Sequence, residues 1–393
     1  MNDNPNEPTR VISARWILPI TTAPIHGGWV RLQGQRIVEL GSGRPPAAAQ
    51  DLGDVAVLPG LVNSHTHLEF SDCDLPIGQP GVPLAKWIGQ VITARGTTNS
   101  EKKQAAIAKG IAESKRAGVQ LIGEIATPPA SYPDSDINII SFAEVLGLSE
   151  TRSDERLQAA IAHNDNTESG AWSPHAPYST SRPTIQACVD RAKKTARPLA
   201  MHVAESPAER ELLRRGTGPF ADALKSIGVW QDNLFPWSSQ PFVDLIDQLS
   251  ASPRALLIHC NDLQSDEIQR LSQHDHMSVV YCPRTHAFFG YGRHPVAEML
   301  TAGIRVALGT DSRASNPDLN LWAEVQFLLN HRPDIAPEQV LAMATVHGAG
   351  ALGQPQYGRI AIGAKASLGQ VSTNATKMDK VYADLAKNNY SPL

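Results

Sequence analysis

The sequence predicts an α/β protein: a (β/α)8 barrel flanked by a small β-sandwich built from both chain ends. In the middle of the chain, eight short apolar runs alternate with helical patterns, and eight parallel strands are the number that closes such a barrel. Towards both ends, short runs of alternating apolar and polar residues indicate the strands of a separate β unit. An open doubly wound sheet is the alternative, although the sequence contains no glycine-rich phosphate-binding motif to support a nucleotide-binding version of it.

The size and composition of the chain favour a large globular protein with one main and one accessory domain. Its 393 residues exceed the usual range of a single domain, and 41% of them are hydrophobic and 19% charged. A net charge of −4 gives no electrostatic reason to expect nucleic acid or a membrane as a partner. The polar start of the chain, the lack of a long apolar run and four scattered cysteines favour a cytoplasmic protein with reduced thiols.

The two chain ends are expected to form one β-sandwich domain. Residues 10–57 contain short strand patterns separated by glycine or proline, and the C-terminal stretch "YGRIAIGAKASLGQVS" again indicates short strands. Chain ends often lie close together, so the second group of strands can pair with the first. We therefore expect a sandwich domain of residues 1–57 and 353–393 and a barrel domain of residues 58–352.

The predicted barrel strands are spaced along this central region. Helical patterns such as "SEKKQAAIAKGIAESKRAG" and "SRPTIQACVDRAKKTA" lie between them. The strands are expected at residues 56–65, 119–125, 137–142, 170–174, 198–203, 255–260, 278–282 and 305–310. The long segment 206–254 is rich in aromatic residues, which either cover a binding site or pack extra helices together.

Polar residues with metal-binding side chains end five of these strands. In a barrel, functional groups gather at the carboxyl ends of the strands. The residues concerned are His65, His67, His175, His202, Glu205, His259 and Asp311. A single histidine at a strand end is usually an ordinary polar residue, but the joint occurrence at several strand ends favours a common site.

Four of these residues predict a site for one divalent ion. His65 and His67 are two positions apart on a strand, so their imidazoles point to the same side. With His202 and Asp311 they provide three nitrogen atoms and one carboxylate. This donor set suits Zn²⁺ or Fe²⁺ and leaves a position open for water.

Several motifs together resemble the amidohydrolase superfamily. The segments "PGLVNSHTHLEF", "MHVAES", "IHCND", "GTDS" and "AMATVHGAGALG" occur in the superfamily's order and span most of the chain. The resemblance implies a metal-dependent (β/α)8 hydrolase with a flanking β-sandwich. Members with two metals bridge them with a carboxylated lysine after the fourth strand. The corresponding stretch "GAWSPHAPYS" contains no lysine, so one metal is expected.

Within the superfamily, the spacing of His202 and Glu205, together with His259 and Asp311, is similar to that of the deaminases of nucleobases, nucleosides and chlorotriazines. By this resemblance a bound metal lowers the pKa of water, and Asp311 ligates the metal and takes the proton of the water. Glu205 protonates a ring nitrogen and passes a proton to the leaving amine. His259 either orients the water or adds a metal ligand. A surface helix cap is the structural alternative for Glu205.

Two further resemblances concern the substrate. The stretch "SPHAPYS" resembles the methylthioadenosine/S-adenosylhomocysteine deaminases, in which its histidine, here His175, contacts substrate. Those enzymes carry a glutamate after the tryptophan of the first helix, where it holds the ribose hydroxyls. Here Trp87 is followed by Arg95 and no glutamate, as in the aminodeoxyfutalosine deaminases of the alternative menaquinone pathway. We expect Arg95 to bind the benzoate of their substrate, with Arg284 and Arg313 as competing candidates.

The sequence therefore predicts metal-dependent hydrolytic deamination of an adenine-type nucleoside, with 6-amino-6-deoxyfutalosine as the leading substrate. The alternatives are a methylthioadenosine/S-adenosylhomocysteine deaminase and a chlorotriazine- or guanine-type hydrolase. From a different class, a non-catalytic relative would serve as an assembly protein. Family resemblance suggests a homodimer that binds a small nucleoside and neither nucleic acid nor a membrane.

Overall fold

A computed structural model describes residues 8–96 and 99–393 of the chain. Residues 1–7 of the predicted N-terminal β unit therefore lie outside the described residues. All four cysteines are free thiols. Among the described residues, no helix is both long enough and apolar enough to cross a lipid bilayer.

In the described part of the chain, fifteen strands form two sheets. The N-terminal strands are β1 Thr9–Ile17, β2 Ile25–Gln33, β3 Arg36–Ser42, β4 Gln50–Asp51 and β5 Val55–Pro59. The central strands are β6 Leu61–Thr66, β7 Val119–Ala126, β8 Asn138–Val145, β9 Gly170–Pro174, β10 Leu199–Val203, β11 Ala255–His259, β12 Met277–Tyr281 and β13 Arg305–Leu308. The C-terminal strands are β14 Leu368–Ser372 and β15 Tyr390–Pro392.

Helices connect the central strands and follow them. They are α1 Leu84–Arg95, α2 Ser100–Arg116, α3 Glu150–Asp165, α4 Arg182–Thr195, α5 Pro207–Arg215, α6 Pro219–Ser226, α7 Pro241–Leu249, α8 Ser265–Leu271, α9 Pro283–Phe289, α10 Val296–Thr301, α11 Leu321–His331, α12 Pro337–Met343, α13 Val346–Ala351 and α14 Met378–Leu385. A single 3-10 turn, Leu68–Phe70, follows β6.

The central strands form the predicted parallel barrel. Each strand from β6 to β13 pairs in parallel with the next one along the chain. The ring is completed by an isolated bridge between Thr66 and Asp311. There, the backbone N–H groups of Thr310 and Asp311 both donate to the carbonyl of His65 at 3.1 Å. The barrel therefore closes through residues of the predicted metal site.

The interior of the barrel is filled with apolar side chains. One cluster takes a buried member from every barrel strand, so its residues face the barrel axis. They include Val62, Leu121, Phe142, Ala171, Ala200, Leu256, Val280 and Ala307. A second and larger cluster lies between the strands and the surrounding helices. The barrel is thus a packed core, and its polar groups are confined to the strand ends.

Both chain ends contribute to the second sheet. Its strand order is β15-β14-β5-β1-β2-β3, with β4 paired to β1. One sheet curls around its own apolar cluster, which includes Ile12, Val30 and Ile37, in place of two facing layers. The antiparallel pairing of β5 with β14 brings the C-terminal segment back to the N-terminal one. The two chain ends therefore pair in one sheet, as the sequence predicts.

The first predicted barrel strand is in fact two strands. The apolar run 56–65 is interrupted at Gly60, since β5 pairs in the curled sheet while β6 belongs to the barrel. A Cβ atom at Gly60 would lie 2.0 Å from Ser367 Oγ, so only glycine fits this crossing point. A single continuous apolar run gave no sign of the change of sheet.

Candidate metal and catalytic site

The predicted site residues meet at the carboxyl end of the barrel. On a strand, alternate residues face the same side. Ala200 belongs to the interior cluster, so His202, two positions later, continues the inward-facing row of β10. The same alternation from Ala171 on β9 leads to His175 just beyond the strand end. The centroids of these two histidine rings lie 4.9 Å apart.

A strand irregularity brings His65 to the interior. Val62 faces the barrel axis, and regular alternation would turn His65, three residues later, to the outside. However, the pairing of β6 with β7 shifts register between Asn63 and Thr66. Such bulges re-aim side chains next to functional sites. The centroids of the His65 and His67 rings lie 5.0 Å apart.

Three other strands end in backbone turns that aim side chains inward. Ala204, His259, Cys260 and Asp311 have φ values of 50°, 70°, 54° and 56°. The left-handed region is unfavourable for residues other than glycine, and such strain clusters at functional sites. The turns direct His259 and Asp311 toward the barrel axis. The turn at Ala204 comes directly before Glu205.

His202 and His67 present nitrogen atoms to one point. The Nδ1 atom of His202 lies 2.8 Å from the carbonyl of His175, to which it donates. This bond leaves the Nε2 atom of His202 free to bind a metal. It lies 3.4 Å from Nε2 of His67. Burial lowers the pKa of His202 to about 4, so its ring is neutral at pH 7.

His65 supplies the clearest sign that a cation fits here. Its ring is fully buried, and neither ring nitrogen has a hydrogen-bond partner among the described residues. Its Nε2 atom lies 3.6 Å from Oδ1 of Asp311, and Nε2 of His67 lies 3.8 Å from the same oxygen. Burial lowers the pKa of His65 well below its usual value, so the ring is neutral and offers a lone pair. A buried polar group without any partner is rare, and a cation would provide one.

Two overlapping groups of donors have the spacing of a metal site. Ligand atoms of His65, His202 and His259 lie within 4.8 Å of one another, and so do those of His65, His67 and Asp311. Nitrogen and carboxylate donors at this spacing suit Zn²⁺ or another borderline divalent ion. The residues present therefore fit the metal that the sequence predicts. His259 lies close enough to be either a ligand or a neighbour of the ion.

Glu205 lies beside the candidate metal donors, and its pKa is raised. It is buried, the hydroxyl of Tyr178 donates to its Oε2 at 3.0 Å, and its Oε1 lies 3.6 Å from Nε2 of His259. Burial, helped by the charges of Glu209 and Asp311, raises the pKa of Glu205 well above its usual value. A protonated carboxyl is the form that a general acid requires. The helix-cap alternative does not hold, because the N-cap of α5 is Ser206.

Glu209 lies behind Glu205 and was not predicted from the sequence. It is fully buried, and its two oxygens accept the backbone N–H groups of Ala204 and Glu205 at 2.9 and 2.8 Å. Ser206 in turn accepts the N–H of Glu209 at 3.4 Å. The "SPAE" spacing is that of a capping box, a signal that could have identified this carboxylate. It fixes the strained turn that aims Glu205.

Glu144 is a second buried carboxylate that sequence analysis missed. Strand β8 continues to Val145, three residues beyond its predicted end at Phe142. Ile140 and Phe142 face the interior, so Glu144 is the next inward position. Its Oε1 lies 3.9 Å from Nε2 of His175. The alternation Ile-x-Phe-x-Glu was the available signal, and a predicted strand that ended three residues too early concealed it.

Arg95 lies at the rim of the site and is already paired. It contacts Glu69 directly, donates to Thr127 Oγ1 at 2.5 Å and lies 3.9 Å from Glu144. Its guanidinium also stacks 5.3 Å from the ring centroid of Phe70. Any acidic ligand at Arg95 would therefore compete with Glu69.

The other two candidate arginines are bound within the protein. Arg284 pairs with Asp318 at 2.6 Å and with the buried Glu324 at 2.7 Å. Arg313 pairs with Glu113 at 2.9 Å. The charges of both guanidinium groups are compensated. Neither arginine can therefore bind a substrate unless one of its ion pairs breaks.

Aromatic residues form a cover beside Glu205. Phe220 on α6 stacks on Tyr178 with ring centroids 4.5 Å apart. Trp87 packs edge-on against Phe289 at 5.2 Å, and its Nε1 donates to the carbonyl of Ala314 at 3.3 Å. All four rings belong to one apolar cluster. Of these rings only Phe220 belongs to segment 206–254, and it contacts the site through Tyr178, whose hydroxyl donates to Glu205.

Comparisons of the sequence with known proteins give consistent matches. The amidohydrolase family model matches residues 56–391. A 5-methylthioadenosine/S-adenosylhomocysteine deaminase of Nitratidesulfovibrio vulgaris is 29% identical over 370 residues, which are 86% of this chain and 76% of the relative. An aminodeoxyfutalosine deaminase of Deinococcus radiodurans is 30% identical over 331 residues, 77% of this chain and 74% of the relative.

Solved structures give the same fold. Helicobacter pylori aminofutalosine deaminase, in complex with methylthio-coformycin, superimposes with a TM-score of 0.85 at 23% identity and covers 97% of both chains. An adenosine deaminase from Xanthomonas campestris with bound zinc has a TM-score of 0.72 at 23% identity, covering 96% of this chain and 89% of the other. At these identities the likeness is evidence for the fold.

Proposed function

The chain belongs to the amidohydrolase family of metal-dependent hydrolases, and we propose that it deaminates an adenosine-type nucleoside with one bound divalent ion. The observation that carries this proposal is the position of Glu205. A buried carboxyl whose pKa is raised by its burial lies 3.6 Å from His259, beside a converging set of candidate metal donors. Hydrolysis of an amidine-like C–N bond needs a Lewis acid and a proton donor side by side.

The metal would be held by His65, His67, His202 and Asp311. When bound, a divalent ion supplies a Lewis acid that lowers the pKa of water. Asp311 accepts a proton from the attacking water, and Ser315 Oγ donates to its Oδ2 at 2.8 Å, which keeps Oδ1 toward the histidines.

Glu205 carries the proton to the substrate. It protonates the ring nitrogen next to the amino-bearing carbon while water oxygen adds to that carbon. The proton that Asp311 took from the water then passes through the Glu205 carboxylate to the amine, the C–N bond breaks and ammonia leaves. The proton of the added hydroxyl returns to Glu205 as the carbonyl forms. Two roles fit His259, as an orienting group for the water or as a further ligand.

The leading substrate is 6-amino-6-deoxyfutalosine. Support comes from the relative at 30% identity and from the Trp87 and Arg95 pattern of the first helix. Methylthioadenosine or S-adenosylhomocysteine is the second candidate, because a relative named for them matches over 86% of this chain. Arg95 would contact the acidic tail of the leading substrate at the rim.

The proposal is tested by ammonia release from a panel of metal-replete reactions. The panel contains 6-amino-6-deoxyfutalosine, 5′-methylthioadenosine, S-adenosylhomocysteine, adenosine, guanine, cytosine and a chlorotriazine. We expect turnover of adenosine-type nucleosides, fastest with 6-amino-6-deoxyfutalosine. Turnover confined to guanine, cytosine or the chlorotriazine, or to none of the panel, would contradict the proposal.

Arg95→Ala tests whether Arg95 binds the benzoate of the leading substrate. If Arg95 binds the benzoate, the variant loses about 10-fold or more in kcat/KM for 6-amino-6-deoxyfutalosine, the scale of a charge-assisted hydrogen bond, and much less for adenosine. Steady-state kinetics of both substrates measure this difference. Arg313→Ala, which breaks the ion pair with Glu113, is the control for loss of a paired arginine. Equal losses of kcat/KM for the two substrates would contradict benzoate binding by Arg95.

A further inference from the structure

Glu144 is a buried charge that the proposed chemistry does not use. Its residue is only 4% exposed, yet none of its contacts with the described residues is a short hydrogen bond. The nearest polar atoms are Thr127 Oγ1 at 3.5 Å, His175 Nε2 at 3.9 Å and Arg95 at 3.9 Å. A buried carboxylate ordinarily accepts several hydrogen bonds, so both oxygens have capacity for a ligand.

The surroundings keep this carboxyl ionised. Burial is the largest single influence and acts to raise the pKa of Glu144, but the neighbouring basic groups, His175 and Arg95 foremost among them, together hold the pKa below its usual value. The neighbouring cations have other partners: Arg95 contacts Glu69, and Lys103 donates to backbone carbonyls of Thr127 and Pro129. An ionised acceptor with no strong donor of its own matches a ligand that brings hydroxyl donors.

The position of Glu144 fits the sugar of a nucleoside. The groups that move protons, Glu205 and Asp311, follow strands β10 and β13. Glu144 lies on β8, with His175 between it and the metal donor His202. Because only His175 separates Glu144 from His202, a nucleoside whose amino-bearing ring lies beside His202 and Glu205 can reach Glu144 with its sugar. Two adjacent hydroxyl groups can donate to the two oxygens of one carboxylate.

We infer that Glu144 binds the vicinal hydroxyl groups of the nucleoside sugar and thereby selects ribonucleosides. The inference rests on the proposed function and adds a binding residue to it. The competing role is indirect, in which Glu144 only orients the ring of His175. That role would affect ribonucleosides and deoxynucleosides alike, whereas hydroxyl binding acts only where the hydroxyl is present.

The experiment compares Glu144→Ala and Glu144→Gln with the intact protein. The probes are 6-amino-6-deoxyfutalosine and 5′-methylthioadenosine, each with its 2′-deoxy and 3′-deoxy analogues. Ser141→Ala is the control, since Ser141 lies on the same strand but its hydroxyl bonds Tyr132 and His163 at 2.6 and 2.8 Å. Thermal melting and metal content verify that each variant is folded and loaded.

The intact protein is expected to prefer the ribonucleoside over at least one deoxy analogue by about 10- to 100-fold in kcat/KM, the scale of a hydrogen bond to a charged group. Glu144→Ala should lower kcat/KM for the ribonucleoside by the same factor and leave the deoxy analogue within about threefold. The kcat/KM of Glu144→Gln for the ribonucleoside should lie between those of the intact protein and Glu144→Ala. Ser141→Ala should keep the full preference for the ribonucleoside.

Three outcomes would overturn the inference. A wild-type protein that turns over ribonucleosides and deoxynucleosides equally well has no hydroxyl-binding group, which removes the inference and leaves the proposed function standing. Equal losses for both sugars in Glu144→Ala would assign the residue to positioning His175. A wild-type protein that deaminates no nucleoside would remove the proposed function and the inference together.

Discussion

At the scale of single residues, the site depends on neighbours that orient each functional group. His202 is oriented by a carbonyl, Asp311 by Ser315 and Glu205 by Tyr178. These partners hold side chains at fixed geometry in a buried, weakly screened environment, where a small displacement has a large effect. The predictions at this scale concern Glu205 and the residue behind it.

Glu205→Gln should separate proton transfer from metal binding. The amide has nearly the same shape but cannot donate an acidic proton, so kcat should fall by about 100-fold or more. Metal content should be unchanged, because Glu205 is not among the predicted ligands. Elemental analysis and steady-state kinetics on the same sample test both statements.

A matched control for this variant is Tyr178→Phe, which removes only the hydrogen bond to Glu205 and should lower kcat by a smaller factor. Undiminished turnover in Glu205→Gln would mean that another group moves the proton.

Glu209→Gln should impair the turn that carries Glu205. A carboxylate accepts both N–H groups of this turn, whereas an amide offers one acceptor and sets its NH2 group against the other N–H. We expect kcat to fall by about 10-fold with KM within about threefold, since the substrate contacts are untouched. Steady-state kinetics with a parallel thermal melt measure this, and Glu209→Asp serves as the shortened carboxylate. A change in KM alone would contradict a positioning role.

Sequence patterns could propose a residue where an apolar run ends in a polar side chain, and they missed residues where the strand limits were misjudged. The six metal and proton-transfer candidates stand at or just after such runs, and the structure brings their side chains close together at one end of the barrel. Glu144 was missed because the predicted strand stopped at Phe142. The inward direction of His65 and His259 depends on a bulge and on a positive φ, and neither is visible in the periodicity of the sequence.

At the scale of elements, the strand ends and their irregularities build the site. The eight parallel strands supply side chains from several directions, and the ring closes where Thr66 meets Asp311. The residues proposed to hold the metal, on β6 and after β13, are therefore brought together by the same backbone contacts that complete the barrel. The order of the strands followed from the sequence, whereas the division of the first apolar run into β5 and β6 did not.

Gly60→Ala tests this division. The added methyl would meet Ser367 and Gln120 at the crossing between the two sheets, so the variant should lose about 1–3 kcal/mol of unfolding free energy. Gly89→Ala is the matched control, because Gly89 is exposed in α1 and a Cβ there meets no atom within 4 Å. That control should gain about 0.5–1 kcal/mol through helix propensity. Chemical denaturation of both variants gives the comparison, and a neutral Gly60→Ala would refute the tight crossing.

At the scale of the whole molecule, the chain runs from the curled sheet through the barrel and back to the curled sheet. The candidate site lies at the carboxyl end of the barrel. Residues from strands at both ends of the barrel sequence, β6 and β13, and from β10 between them supply the donors. The meeting of the two chain ends was predictable because strand patterns occur at both termini. The detailed substrate contacts were not, since they depend on rim residues such as Glu69 and Arg95 whose pairing is purely tertiary.

The central claim is that one divalent ion, held by the strand-end donors, makes this chain a nucleoside deaminase. The most direct test adds Zn²⁺ to metal-free protein while ammonia release from 6-amino-6-deoxyfutalosine is followed. The account predicts negligible turnover without metal. The turnover rate should then rise linearly with added Zn²⁺ and saturate at about one equivalent, the number expected for a single site of this donor set. Full turnover of thoroughly metal-free protein, or saturation only at two equivalents, would contradict it.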